Sequence, residues 1–175
     1  MEKQKASKFT IRQPEYPQDL PTIRGLFTAY ALSLSIDLSF QNFESELSSL
    51  PGKYSSPHGA LLIAFLNETV STEAIGCIAV RPLSSVNNGT DKKVGEMKRL
   101  YCTPAARGLG IGRALAEKII KMAEDLGYDE MRLDTLPSME GARKLYQSLG
   151  FVETEAYYDT PLKGTIFLSK RLSPR

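Results

Sequence analysis

Leu100-Tyr101-Cys102-Thr103-Pro104-Ala105-Ala106-Arg107-Gly108-Leu109-Gly110-Ile111-Gly112 joins a strand pattern to a helix pattern through a glycine-rich turn. Upstream, Val94 to Cys102 reads as a strand. Downstream, Ile111, Leu115, Ile119, Met122 and Leu126 recur at spacings of three and four, the mark of one helix face. Arg113, Glu117, Lys121 and Asp125 fall mostly on the other face, and Gly127 is placed to end the helix. Glycine lets the backbone of the turn adopt positive φ and approach a ligand closely. The N–H groups and the helix dipole then make an anion site, above all for phosphate. Arg107 and Arg113 would add charge at its rim. Two nucleotide fingerprints do not fit: Arg113 stands where a dinucleotide loop needs its third glycine, and Gly-Lys-Ser/Thr is absent.

Outward from this junction the chain alternates between the two periods. Phe9 to Arg12 reads as a first strand. Leu20, Ile23, Leu26, Phe27, Tyr30 and Leu34 predict a helix between Pro17 and Leu34. A shorter helix is expected over Phe40 to Leu50, ending before Pro51-Gly52. Ala60 to Leu66 and Ala74 to Val80 are strands, and Asn87-Asn88-Gly89 is a turn signal before Val94. Met131 to Leu136 is a strand. Ala142, Leu145, Tyr146 and Leu149 stripe a helix ended by Gly150, and Val152 to Tyr158 and Thr165 to Leu168 close the chain as strands. The order β-α-α-β-β-β-α-β-α-β-β describes a single α/β domain with a mixed sheet and packed helices, without an internal boundary.

The chain's 175 residues suit one domain, which would hide about 70% of its unfolded surface. A 42% apolar and 24% charged composition excludes wholesale disorder and a coiled-coil rod. A net charge of +2 gives no broad footprint for nucleic acid. Cys77 and Cys102 sit in apolar stretches and read as reduced core thiols, and no spacing suggests a metal site. His58 lies in a Ser-Pro-Gly loop, so a Ser-His-Asp mechanism has nothing else to rest on. The longest apolar run, Ala60 to Leu66, is a buried strand and not a membrane span. No apolar segment follows the first five residues, so no signal peptide is expected, and a cytoplasmic location is. Asn67-Glu68-Thr69 and Asn88-Gly89-Thr90 match the glycosylation pattern by chance on that reading.

Three linked stretches resemble the GNAT superfamily of N-acetyltransferases: the strand into Leu100-Tyr101-Cys102-Thr103-Pro104, the Arg107–Gly112 loop, and Ala142-Arg143-Lys144-Leu145-Tyr146-Gln147-Ser148-Leu149-Gly150-Phe151. The resemblance is strongest from 94 to 151. Leu133-Asp134-Thr135-Leu136-Pro137-Ser138-Met139 also looks like a subgroup of bacterial-type small-molecule acetyltransferases. It implies one acetyltransferase domain over 8–172, with 1–7 and 173–175 as flexible termini. The implied fold is a mixed sheet of about seven strands, splayed at the acetyl-CoA site and flanked by about four helices.

The resemblance also implies the chemistry. Main-chain groups around Leu100, Tyr101 and Cys102 would pair with the pantetheine arm of acetyl-CoA, and a backbone N–H there would stabilise the oxyanion. The amides of Arg107, Gly108, Leu109, Gly110, Ile111 and Gly112 would hold the pyrophosphate. Tyr146 would protonate the departing thiolate. The family often has an asparagine seven residues before this tyrosine; here Met139 stands there, and Ser138 or a main-chain group is the replacement. The attacking amine must be neutral, so a carboxylate should take its proton. Glu96, as base or amine anchor, and Asp134 are the candidates. Tyr157 and Tyr158, before the Pro161 to Gly164 turn, would border the acceptor. The expected activity is transfer from acetyl-CoA to a primary amine of a small molecule or amino acid by direct attack. A protein N-terminal or lysine acetyltransferase and a non-catalytic acyl-CoA-binding module are the alternatives. A homodimer is left open.

Overall fold

Every side chain from Ala60 to Ala64 is buried, because this strand crosses a sheet covered on both faces. Leu61 and Ile63 point into a cluster with Ile23, Phe27 and Phe43, whereas Leu62 and Ala64 point into one with Ile111, Leu115 and Ile119. An unbroken apolar run is what such a doubly covered strand requires. The computed structural model describes residues 8–67, 73–84 and 91–173. Its strands are β1 (Phe9–Arg12), β2 (Ala60–Leu66), β3 (Ala74–Pro82), β4 (Val94–Cys102), β5 (Glu130–Thr135), β6 (Val152–Glu153) and β7 (Ile166–Arg171). The helices are α1 (Leu20–Leu34), α2 (Phe43–Ser49), α3 (Ile111–Asp125) and α4 (Glu140–Ser148).

The sheet order is β1-β2-β3-β4-β5-β7-β6. All neighbouring pairs are antiparallel except β4 with β5, which are parallel and joined through α3. Helix α3 packs its apolar stripe on one face of the sheet, while α1 and α2 cover the other. The described residues thus form a single α/β domain with a mixed seven-stranded sheet and four α-helices.

Two expected elements take a different form. The helix expected over Phe40 to Leu50 is a 3-10 turn at Ser39–Gln41, then α2, because Asn42 between them is left-handed at φ 55°. The strand expected over Val152 to Tyr158 stops at Glu153, and 154–165 form a loop. Successive side chains of a strand point to opposite faces. Tyr157 and Tyr158 instead both send their hydroxyls to neighbouring carboxylates, which a strand conformation does not allow.

The Asn87-Asn88-Gly89 turn, the Asn88 glycosylation pattern and most of the pattern at Asn67 lie outside the described residues. So do the termini expected to be flexible, apart from Ser173, whose N–H meets Glu124 at 3.4 Å. Among the described residues no helix is long and apolar enough to cross a membrane. Cys77 and Cys102 are both free thiols.

Candidate active site

Strands β4 and β5 are paired only at Val94–Glu130, Gly95–Met131 and Glu96–Arg132. Beyond these the strands diverge, leaving Met97 to Cys102 and Leu133 to Thr135 on the two arms of a V. A β-bulge accompanies the divergence. Cys77 pairs with Tyr101 but Ala79 with Lys98, so Arg99 and Leu100 together face Ile78. Arg99 sits at φ 61°, a conformation held by its buried side chain: Nε donates to Glu46 at 2.8 Å and Nη1 to Gln41 at 3.2 Å. The cleft between the arms is lined by Lys98, Leu100, Asp134, Met139 and Tyr146, with Tyr30 of α1 below them. Tyr101 lies on the α1 face, its ring edge-on to Tyr30.

The open end of β4 leads into the glycine-rich turn. Gly108 and Gly110 have φ of 73° and 74°, and a Cβ at either would meet nothing within 4 Å. The turn therefore presents an open concave backbone, in a conformation glycine adopts without strain. Ala114 donates the first i to i−4 bond of α3, to Gly110, so the N–H groups of Ile111, Gly112 and Arg113 precede the ladder. No acidic residue stands in the first turn of α3. This is the donor set that a pyrophosphate needs, and the residues fit acetyl-CoA on this count. Cys102 packs against the same helix start, 3.6 Å from where a Cβ of Gly112 would lie; burial pushes its thiol up to about 11. Arg113 turns away from the turn. Its guanidinium binds Glu117 at 3.3 Å and Ser148 at 2.6 Å, tying α3 to α4.

Tyr146 projects from α4 into the cleft and is only 6% exposed, with its ring edge-on to Phe151. Burial raises the phenol pKa well above its usual value, so the hydroxyl stays protonated through the neutral range. Met139 precedes α4 and accepts from Thr135 Oγ1 at 3.8 Å through its sulfur, which seats it on the cleft wall. Ser138 is exposed on the preceding turn.

On the opposite face the two carboxylates named from sequence come together. Glu96 is 2% exposed and accepts from Arg81 Nε at 2.9 Å and Tyr157 Oη at 3.1 Å, with Lys98 Nζ 3.4 Å away. Lys98 Nζ is also 3.4 Å from Asp134, which accepts from Tyr158 Oη at 2.9 Å. Burial pushes the Asp134 carboxyl up, but Lys98, the Tyr158 hydroxyl and Arg99 outweigh it and hold it below its usual value. Glu46 of α2 extends the cluster, touching Tyr54, Arg81 and Arg99. A pocket of about 220 Å³ opens against this cluster, walled by Phe40, Leu83, Tyr157 and Tyr158, with Glu96, Lys98 and Arg81 at its base. Lys98 borders both this pocket and the cleft.

Residues 24–151 match the Acetyltransferase (GNAT) family. The chain belongs to the GNAT acetyltransferase family. An uncharacterized N-acetyltransferase of Schizosaccharomyces pombe is 38% identical over 169 residues, 97% of this chain and 98% of its own. One from Dictyostelium discoideum is 31% identical, covering 93% of this chain and 99% of its own. Among solved structures, an acetyltransferase from Streptococcus agalactiae has a TM-score of 0.71 at 19% identity, over 94% of this chain and 99% of that one. A chain in the NatC complex bound to Gag peptide and CoA has a TM-score of 0.71 at 22% identity, with the same coverage. These two share the fold.

The candidate site contains residues that no sequence pattern singles out. Lys98 was within reach, because it lies two positions from Glu96 and so shares its face of β4. Arg81 faces Glu96 only through the β3–β4 register. Arg99 and Glu46 meet because of the bulge and the placement of α2, which no local pattern announces.

Proposed function

We propose that this GNAT acetyltransferase acetylates the primary amine of a small molecule by direct attack, with acetyl-CoA as donor. The observation that carries the reading is the pocket of about 220 Å³ against Glu96, which shares Lys98 as a lining residue with the cleft that holds Tyr146. Acetyl-CoA supplies the activated acetyl thioester. The open backbone from Arg107 to Gly112 would hold its phosphates, and main-chain groups at the β4 bulge, at Arg99 and Leu100, would pair with the pantetheine arm and polarise the thioester carbonyl. Glu96, the carboxylate lining the acceptor pocket, anchors the amine and receives its proton at a carboxylate oxygen. Asp134, committed to Lys98 and Tyr158 and held ionised, sets the position of Lys98. Tyr146 Oη delivers a proton at the cleft as the thiolate departs. Tyr157 and Tyr158 wall the acceptor pocket on the side of Glu96 and Lys98.

The test is turnover of acetyl-CoA against small primary amines and, in parallel, against peptides with free N-termini. Acetylation of small amines with the peptides inert supports the reading. Peptide acetylation with every small amine inert overturns it.

A further inference from the structure

We infer that the acceptor of this acetyltransferase carries a carboxylate beside its amine, as a free α-amino acid does; the inference rests on the small-molecule reading above. The acceptor pocket is lined by two cations, Arg81 and Lys98, and one carboxylate, Glu96. Glu46 and Asp134 stand behind that wall and Arg99 behind Glu46, so these six groups balance at three cations against three anions, while Arg132, 6.0 Å from the Tyr157 ring, is committed to Glu130. A substrate that brings an ammonium alone adds an uncompensated charge to this poorly solvated cluster. A diamine adds two, with the second facing Arg81 or Lys98. A substrate that brings one ammonium and one carboxylate leaves the neutrality intact.

Arg81 is the group that would read the carboxylate. Its Nε is engaged by Glu96 at 2.9 Å, and its Nη1 lies 3.6 Å from Glu46, too far for a hydrogen bond. Among the described residues the Nη donors have no hydrogen-bonded partner, and the side chain, 24% exposed, lines both this pocket and the neighbouring one beside Glu46. The spacing also selects the α-amino acid. Arg81 and Glu96 are directly paired on β3 and β4 and in contact, so the pocket offers a cation and an anion side by side. In an α-amino acid the nitrogen and the carboxylate carbon are two bonds, about 2.5 Å, apart. The two charges of the ligand therefore meet the two of the wall at once, amine to Glu96 and carboxylate to Arg81. Phe40, Leu83 and the rings of Tyr157 and Tyr158 form apolar walls for the side chain.

The experiment measures kcat/KM at saturating acetyl-CoA for leucine, methionine and phenylalanine, each beside its decarboxylated amine and its amide, with rates referred to the free-amine fraction. The expected result is that at least one amino acid exceeds both of its partners by about 10-fold or more, the usual worth of a charge-assisted hydrogen bond. In Arg81→Met that ratio should fall to within about 3-fold. Arg81→Lys, which keeps a cation beside Glu96 but loses the fork, should fall between, and it serves if the methionine variant does not fold. Amines or amides used as well as the amino acids overturn the inference and leave the small-molecule reading standing. A ratio that survives in both variants removes Arg81 from the role and overturns it too. If acetyl-CoA binds but no member of the panel is acetylated, both readings fall.

Discussion

Gly110 offers a sharp test of the phosphate cradle. It sits at φ 74°, and a Cβ there would meet no protein atom within 4 Å, so a short side chain has room. Asp and Asn both tolerate this left-handed conformation better than most residues and have the same shape. Gly110→Asp and Gly110→Asn should therefore fold with similar melting temperatures and differ by one charge. A carboxylate about 5 Å from a phosphate charge, at an effective dielectric near 20, is repelled by roughly 3 kcal/mol. Solvent screening at this open site reduces that to about 2 kcal/mol, or roughly 30-fold in affinity. The assay is thermal unfolding with CoA at 100 times the wild-type Kd. Wild type should gain about 2.7 kcal/mol, a rise in Tm of about 5–11 °C for a chain of this size. Gly110→Asp at the same concentration should gain only about 0.9 kcal/mol, a rise of about 2–3.5 °C. Gly110→Asn should fall between them. A full wild-type shift in a folded Gly110→Asp protein would refute the cradle.

Three further outcomes follow from the site. Tyr146→Phe keeps the ring against Phe151 and deletes only the hydroxyl, so the fold and CoA binding should persist while kcat falls by about 10²-fold; an unchanged kcat at saturating acetyl-CoA would return Tyr146 to a packing role. Glu96→Gln should retain CoA binding and lower kcat/KM for the amine by about 10²-fold; an unchanged kcat/KM would take the proton-accepting role from Glu96. Asp134 has a folded pKa below its ordinary value, so its contribution to stability is complete above the ordinary aspartate range near pH 4 and is lost as pH falls through the lowered folded value. Asp134→Asn should accordingly be less stable at pH 7 and show a shallower loss of stability during acid unfolding below about pH 4; an acid-unfolding curve parallel to wild type would contradict the Lys98–Asp134 coupling.

What the sequence determined by itself was local. The glycine-rich turn, the helix after it and the helix bearing Tyr146 were legible because their signals lie within one or two turns of chain: apolar spacings of three and four, and glycines at the turn and at the helix ends. The doubly covered strand at Ala60–Leu66 was legible for the same reason, since an unbroken apolar run has no polar face to expose. The sequence offers Glu96 and Asp134 as carboxylates and Tyr157 and Tyr158 as a pair near the acceptor, and only the folded chain joins the four in one cluster with Lys98. Arg81 entered through the register of β3 on β4 and Glu46 through the docking of α2, both pairings of residues distant in sequence. The Tyr157–Tyr158 segment reads as strand from its composition, yet two carboxylates on other elements, the buried Glu96 and the half-buried Asp134, draw both hydroxyls to one side. The apolar stripe of a helix is set by periodicity along a few turns, whereas a buried ion cluster is set by which distant side chains must satisfy one another once water is gone, and that is decided only when the sheet and its helices close.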